Sequence, residues 1–255
     1  MATFEAQVEG LTSLSIDGSS SPTQTELTQF LTDGAKEILT ALPMDKKVMY
    51  STSSALDNST TYITLGGSEV LGVMRDDGTI NQPCRRIPST LSGRAQDSAE
   101  MIYGTTSDPV WWIVNNILSI YPEPSSAGAT VQVLAYPAVA YGDSAITKFP
   151  DEAEYLVPLY ASVKTLQNKM ASMMEEIPRN SDQDGTFTTA SASSQGYEKV
   201  RYMLENSEDI ELASGVISSL TNEMQQFMAE YKWYQEQQAK LQSDYDKGLQ
   251  IIIAG

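Results

Sequence analysis

Hydrophobic residues recur at helical spacing in a segment near the N-terminus, between residues 23 and 42. Spacings of three and four residues place these side chains on one face of an α-helix: Leu27, Phe30, Leu31, Ala35, Ile38, Leu39 and Leu42. A Ser-Pro dipeptide and a capping box formed by Thr23 and Glu26 precede the stripe, and both are typical of a helix start. Pro43 predicts where this helix ends.

The pattern changes to short alternating segments between residues 44 and 146. Eight of these segments are rich in Val, Ile, Thr, Tyr and Trp, which predicts β-strands: 47–51, 60–65, 70–75, 80–87, 99–103, 110–114, 118–121 and 130–136. Asp76-Asp77-Gly78 predicts a hairpin turn, and residues 89–97 predict a loop or a short helical turn. Because no helix separates the strands, we expect an antiparallel sandwich or barrel.

A second helical stripe follows Pro150 and ends before Pro178: Leu156, Leu159, Tyr160, Val163, Leu166, Met170, Met173 and Ile177. Three carboxylates lie at its start, where the helix macrodipole favours negative charge: Asp151, Glu152 and Glu154. We favour this capping role over a carboxylate cluster for acid–base chemistry. Pro158 either lies in the first turn, where its missing N–H costs little, or kinks the helix.

The last apolar stripe is the longest and predicts a helix from about residue 210: Ile210, Ala213, Ile217, Leu220, Met224, Phe227, Tyr231, Tyr234, Gln238, Leu241 and Tyr245. Its average spacing of 3.5 keeps the stripe facing one partner. A helix of about forty residues spans roughly 60 Å, which is longer than a domain of this size needs. Rather than an unpartnered stalk, we expect residues 231–253 to be ordered mainly by contact with a neighbouring subunit or the portal. The tail at 249–253 is apolar and β-prone, so its exposure would favour aggregation.

Two segments show no hydrophobic period. Residues 1–20 are polar and too short to bury a face of their own, so we expect an N-terminal arm. Residues 178–196 are small and polar, which predicts a flexible loop. This loop lacks the Gly-x₄-Gly-Lys-Ser/Thr pattern of a phosphate-binding loop.

Charge and composition exclude several classes of function. The 255 residues include 16 basic and 33 acidic side chains, which gives a formal net charge of −17 and opposes binding that depends on neutralising phosphates. There is no histidine and one cysteine, Cys84, so the commonest general base and any cysteine-cluster metal site are missing. A lone thiol is more often a buried strand residue than a nucleophile. We therefore predict no enzymatic activity, no metal and no cofactor.

The sequence also lacks membrane and export signals. No run of eighteen apolar residues is present, so we expect no membrane span. The N-terminus has no basic start followed by an apolar stretch, so we expect no signal peptide. These two features predict a protein that stays on the cytosolic side of wherever it is made.

Three clusters have a functional alternative. Trp111 and Trp112 are candidates for a sugar-stacking platform. Neighbouring rings on a strand face opposite sides, however, so we expect one in the core and one at an interface. Four arginines concentrate positive charge in the β region, where ordinary surface is favoured over docking to an acidic partner: Arg75, Arg85, Arg86 and Arg94. The aromatic residues of the last helix favour a protein interface: Tyr231, Trp233, Tyr234 and Tyr245.

The order of these segments is similar to a known family. SPTQTELTQFLTDGAKEILTALP, then a β insertion, then FPDEAEYLVPLYASVKTLQNKM resembles the head–tail connector proteins of tailed phages, the adaptors of the podophage tail tubular protein A type. The resemblance covers the first helix and residues 149–174, and it carries no catalytic residue. It implies a helical bundle docked beneath the portal, with copies assembled into a ring around the DNA channel.

The expected fold is therefore α+β. A bundle of the N-terminal, central and very long C-terminal helices, residues 21–43 and 147–255, is interrupted by an antiparallel β-sandwich or barrel at 44–146. The expected function is that of a virion structural protein, a head–tail adaptor subunit in the neck of a particle assembled in the host cytoplasm. The alternative is a tail- or baseplate-associated β module that binds a carbohydrate or receptor and is carried on a helical stalk.

The expected partners follow from the adaptor hypothesis. They are further copies of the chain in a ring, expected to be a dodecamer, the portal protein, and a tail or nozzle protein. DNA is expected to pass through the ring without being bound specifically. The candidate residues for contact with a neighbouring subunit or the portal are Tyr231, Trp233, Tyr234, Leu241, Tyr245, Ile251, Ile252, Arg85 and Arg86.

Overall fold

A computed structural model describes residues 2–57, 62–76, 80–124, 128–176, 200, 203–204 and 210–254. Its α-helices are α1 Phe4–Thr12, α2 Gln24–Ala41, α3 Met44–Met49, α4 Ser92–Ala95, α5 Leu156–Glu176 and α6 Ile210–Ala254. Short 3-10 turns cover Ser89–Leu91 and Asp151–Ala153. The expected mixture of helices and strands, with a long helix at the C-terminus, is confirmed. The predicted hairpin at 76–78 and the loop at 178–196 fall wholly or mainly outside the described residues.

The described strands form two sheets. They are β1 Thr52–Leu56, β2 Tyr62–Thr64, β3 Glu69–Asp76, β4 Asn81–Pro83, β5 Arg85–Arg86, β6 Val110–Val114, β7 Ile117–Tyr121 and β8 Ala129–Leu134. One sheet has the order β1-β8-β3-β4 and the other the order β2-β7-β6-β5. All pairings are antiparallel except that of β5 with β6, which is parallel. Within the described ranges neither sheet closes on itself, so a barrel is not observed.

A single hydrophobic core contains residues of both sheets. The first sheet contributes Leu56, Val73, Ala129, Val131 and Val133, and the second contributes Trp111, Leu118 and Ile120. From Ala129 to Val133 of β8 the residues alternate between buried and partly buried positions, as period-2 side-chain geometry requires. Burial of these side chains stabilises the region by about 25 cal/mol per Å² of apolar surface removed from water.

Most of the predicted strands are confirmed, and 80–87 is divided in two. β4 pairs with β3 of the first sheet, whereas β5 pairs with β6 of the second, so the chain passes between the sheets at Cys84. The backbone N–H of Cys84 donates to Val73 O at 2.9 Å, and the next N–H, of Arg85, donates to Pro109 O at 2.7 Å. Hydrophobic alternation predicts the extended backbone here, but it does not predict that pairing changes from the first sheet to the second.

Two predicted strands are wrong, and one was missed. Residues 47–51 belong mostly to α3, which starts directly after Pro43 and places Asp45 in its first turn, where negative charge is favoured. Residues 99–103 form successive turns after Asp97, whose carboxylate accepts the N–H of Ala99 at 3.0 Å. The missed strand, β1, has the polar sequence TSSAL and gains its extended form by pairing with β8.

The N-terminal segment is a helix, not an arm. Phe4 and Val8 of α1 are fully buried, one helical turn apart, and Thr3 caps the helix by accepting the N–H of Ala6 at 3.3 Å. The Gln24 amide also donates to the Glu5 carboxylate at 2.6 Å. The prediction failed because two apolar residues sufficed for a buried face once a cap and a neighbouring helix were available.

The predicted start of α2 is confirmed at atomic level. The Glu26 carboxylate accepts the N–H of Thr23 at 2.7 Å, and the Thr23 hydroxyl accepts the N–H of Glu26 at 3.3 Å. The backbone hydrogen bond from Thr23 lowers the pKa of Glu26, because it stabilises the carboxylate form. Pro158 lies in the first turn of α5, which is the first of the two predicted alternatives. Its carbonyl accepts a hydrogen bond from the Ser162 hydroxyl at 2.7 Å.

The C-terminal helix α6 has 45 residues, or roughly 68 Å at 1.5 Å per residue. It runs through Gly248 to Ala254, so the apolar tail is helical and not a β-segment. Its buried residues beyond position 238 are Leu241, Tyr245, Gly248 and Ile252. The expectation that residues 231–253 lack a partner within the chain is therefore wrong for much of that stretch.

The chain divides into two compact units. One comprises residues 31–157 and 248–255, and the other comprises residues 2–30 and 158–247. This division does not separate helices from strands, because α2, α5 and α6 contribute residues to both units. The predicted domain boundaries, at 43/44 and 146/147, follow the type of element instead and stay a prediction.

Replacing glycine by alanine should affect the free energy of unfolding differently at two positions of α6. A Cβ at Gly248 would lie 2.5 Å from Leu156 Cδ2 and 2.6 Å from Tyr155 Oη, whereas a Cβ at exposed Gly215 meets nothing within 4 Å. Gly215→Ala should raise the free energy of unfolding by up to about 1 kcal/mol through helix propensity. Gly248→Ala should be about 1–3 kcal/mol less stable than Gly215→Ala, because the packed side chains must move. Urea unfolding measures both, and equal stabilisation by the two variants would contradict the close packing.

An ion pair between a buried lysine and a partly exposed glutamate predicts a second stability effect. The Lys47 ammonium lies 3.0 Å from the Glu69 carboxylate, which also accepts the Tyr136 hydroxyl at 3.2 Å. Glu69→Gln should cost about 1–2 kcal/mol in unfolding free energy, because Lys47 keeps a buried charge without its counter-ion. The double variant Lys47→Met/Glu69→Gln should recover most of this loss. Asp108→Asn, which breaks the exposed pair with Arg85, is the control and should cost less than about 1 kcal/mol.

Candidate interaction surface

The described residues contain little that could perform chemistry. No group of three or more His, Cys, Asp or Glu side chains within them is arranged to hold a metal ion. Burial raises the pKa of the Cys84 thiol to about 12, although the positive charge of Arg75 opposes this shift. A thiol with such a pKa is protonated at neutral pH and is a poor nucleophile.

The acidic residues before α5 occupy a helix start. Asp151 and Glu152 lie in the 3-10 turn, exposed to solvent. The Lys46 ammonium lies 3.4 Å from the Glu152 carboxylate and donates to the carbonyl of Ile252 at 3.0 Å. It therefore covers one of the last carbonyls of α6, which lack helical partners and carry partial negative charge.

The two tryptophans of β6 face opposite sides of their sheet, as expected. Trp111 is buried in the core shared by the two sheets, and its indole N–H donates to Cys84 O at 3.1 Å. Trp112 packs, together with Tyr121, against a smaller core cluster of Ile87, Ala95 and Val110. Neither ring is a free, fully exposed stacking platform.

The four arginines of the β region have different environments. Arg75 is buried and donates to the carbonyls of Pro122 and Glu123, both at 3.2 Å, so it is not a surface charge. Arg85 and Arg94 form exposed ion pairs: Arg85 with Asp108 at 3.0 Å and Arg94 with Glu100 at 2.7 Å. The Arg86 guanidinium lies 5.3 Å from the ring centroid of Trp111, in a cation–π contact.

The predicted interface residues on α6 divide into buried and accessible sets. Leu241, Tyr245 and Ile252 are buried within the chain, so the prediction that they meet another subunit is corrected. Trp233 and Ile251 are exposed, and Tyr231 and Tyr234 are partly buried. Periodicity alone did not separate these sets, because Tyr231, Tyr234, Leu241 and Tyr245 belong to the same apolar stripe.

The residues that sequence reasoning missed lie earlier in α6. Ile210 is 74% exposed, Ile217 45% and Met224 50%, although all three belong to the apolar stripe. Only Ala213 is buried among the described α6 residues before position 241. The exposed part of the stripe is therefore its N-terminal half, the reverse of what was expected.

An apolar groove of about 760 Å³ lies within this half of α6. It is lined mainly by methionine and aromatic side chains, with Met174 of α5 at one side and Met224, Phe227, Met228 and Tyr231 of α6 at the other. Flexible methionines adapt to the shape of a partner. Burial and the neighbouring Glu230 carboxylate raise the pKa of Tyr234 on the same helix.

The chain matches no protein-family model, and no curated protein is significantly similar to it. In the parts of the chain that the structure describes, no helix combines the length and apolar character that crossing a bilayer requires.

The raised pKa of the Cys84 thiol predicts an unreactive cysteine. At pH 8, a pKa of about 12 leaves roughly one thiolate in 10,000, against about one in four for an ordinary cysteine. Native protein should therefore react with a disulfide reagent at least about 100-fold more slowly than protein in 6 M guanidinium. Ile217→Cys, which adds an exposed thiol, is the control and should react once per chain at the ordinary rate. Fast reaction of native Cys84 would show that the site is open.

Proposed function

We propose that this chain is a head–tail adaptor subunit of a tailed-phage virion, one of a ring of copies that joins the portal to the tail around the DNA channel. The observation that carries the proposal is the exposed apolar stripe of α6, because such a surface on a very long helix marks a protein interface. Its aromatic and methionine composition is also that of an interface core.

Charge and chemistry agree with this role. A channel that conducts DNA should not hold it, and a net charge of −17 opposes phosphate binding. The raised pKa of the partly buried Cys84 thiol and the absence of histidine fit a structural protein rather than an enzyme. The sequence resemblance supplies the particular class, in which a β-sandwich is inserted into a helical bundle that contacts the portal and a tail or nozzle protein.

The alternative, a carbohydrate- or receptor-binding β module, has less support. It depended on an accessible Trp pair, whereas Trp111 is a core residue and Trp112 packs against a core cluster. Specific binding of the full chain on a glycan array, lost in Trp112→Ala, would favour this alternative.

Mass photometry of the full chain provides the test. We expect a species at a fixed multiple of 27.9 kDa, visible by negative-stain microscopy as a closed ring with a central opening. Symmetry requires that its contacts be heterologous, one face of each copy meeting a different face of the next. The ring should bind portal assemblies and should not retard double-stranded DNA at about 50 mM salt. A strict monomer that binds no virion protein would contradict the proposal.

A further inference from the structure

The apolar stripe of α6 follows a seven-residue repeat without interruption. Counting from Ile210 as the first core position, core residues recur every three and four positions through Tyr234, over 25 residues: Ile210, Ala213, Ile217, Leu220, Met224, Phe227, Tyr231 and Tyr234. More than three such repeats are the length at which a coiled coil is expected. We call residues 210–234 on this face the seam.

The seam continues into a helix–helix contact that already exists in the chain. Further along the same repeat, Leu241 packs against Val163 and Leu166 of α5. The rings of Tyr245 and Tyr160 lie 5.6 Å apart. The described part of α5 ends at Glu176, after Met174 has met the groove. One face of α6 thus packs against a helix in its C-terminal part, and the same face is exposed at Ile210, Ile217 and Met224 of the seam.

The positions that flank the seam differ on its two edges. One edge carries Val216, Glu223 and Glu230, and the other carries Ser214, Thr221, Met228 and Gln235. In an antiparallel pair of identical helices, like edges meet, so Glu223 and Glu230 of the two copies would repel each other. In a parallel pair, each edge meets the opposite edge of the neighbour. Glu223 then faces Met228, and Glu230 faces Gln235, without like charges in contact.

We propose that the acidic edge of the seam packs, side by side and in parallel, against the uncharged edge of the seam of a second copy of this chain. Copies related by rotation about an axis along α6 present parallel helices, with the acidic edge of one copy against the uncharged edge of the next. This inference rests on the proposed function, because it names the contact through which the ring would close. The same parallel contact could also join only two copies. The contact and the ring can therefore be tested separately.

Charge substitutions test whether the seam is the contact. Ile217→Asp/Met224→Asp should weaken self-association of the full chain at least about 100-fold in sedimentation equilibrium, because two core positions would bury carboxylates. Asn222→Asp/Gln226→Asp adds the same charge on the opposite face and should change it less than about threefold. Thermal unfolding by circular dichroism should show that both variants keep the fold. A monomeric wild type, or equal effects of both variants, would overturn the proposal, even if a helix of another protein binds there.

Cysteine cross-linking tests the direction of the helices. In the parallel arrangement, Glu223→Cys/Met228→Cys should form intermolecular disulfides on oxidation, because position 223 of one copy faces position 228 of the next. Neither single variant should cross-link. Cross-linking by Glu223→Cys alone would show antiparallel pairing and overturn the proposal.

The number of linked copies separates this inference from the proposed function. A ladder of covalent oligomers from the double variant would support both the parallel contact and the ring. Covalent species that stop at two copies would support the parallel contact and contradict the ring.

Discussion

A mismatch of helix lengths governs this structure. The helix α6 has 45 residues, whereas α5, the helix that packs along its C-terminal part, has 21. A long helix is stable in water mainly through burial of its apolar face, so the part beyond its partner needs other apolar surface to cover it. Other parts of the chain bury Leu241, Tyr245 and Ile252. They leave Ile210, Ile217 and Met224 exposed to solvent. The buried part anchors α6 to the fold, and the exposed part makes the chain suited to association.

Local signals in the sequence predicted the elements that have strong local causes. The capping box at Thr23 and Glu26 predicted the start of α2, and alternation of apolar residues predicted β3, β6, β7 and β8. Sequence reasoning failed where distant partners decide the structure. TSSAL is a weak strand by composition, and β1 forms because β8 supplies its hydrogen bonds. In α1, two apolar residues became a buried face only through packing that the sequence does not display.

The candidate surface illustrates the same limit. A 3.5-residue period identifies the face of α6 that packs, but not which segment of that face finds its partner within the chain. Tyr245 and Tyr231 have the same side chain and the same position in the repeat, yet one is buried against Tyr160 and the other lines an open groove. Likewise, Arg75 and Arg85 look equivalent in a charge count, whereas the first lies in the interior and the second in an exposed ion pair. The two tyrosines differ because the partner helix α5 is shorter than α6, and the two arginines differ in burial. Both properties depend on tertiary structure.

The passage of the chain between the two sheets has a mechanical consequence. At Cys84 the backbone N–H is held by Val73 of the first sheet, while the carbonyl is held by the indole N–H of Trp111 from the second. Sliding one sheet over the other would strain both hydrogen bonds and draw the Trp111 ring out of the shared core. Cys84 therefore opposes sliding of one sheet over the other. A load applied to either sheet is transmitted to the other, and the two should yield together as one cooperative unit rather than peel apart in sequence.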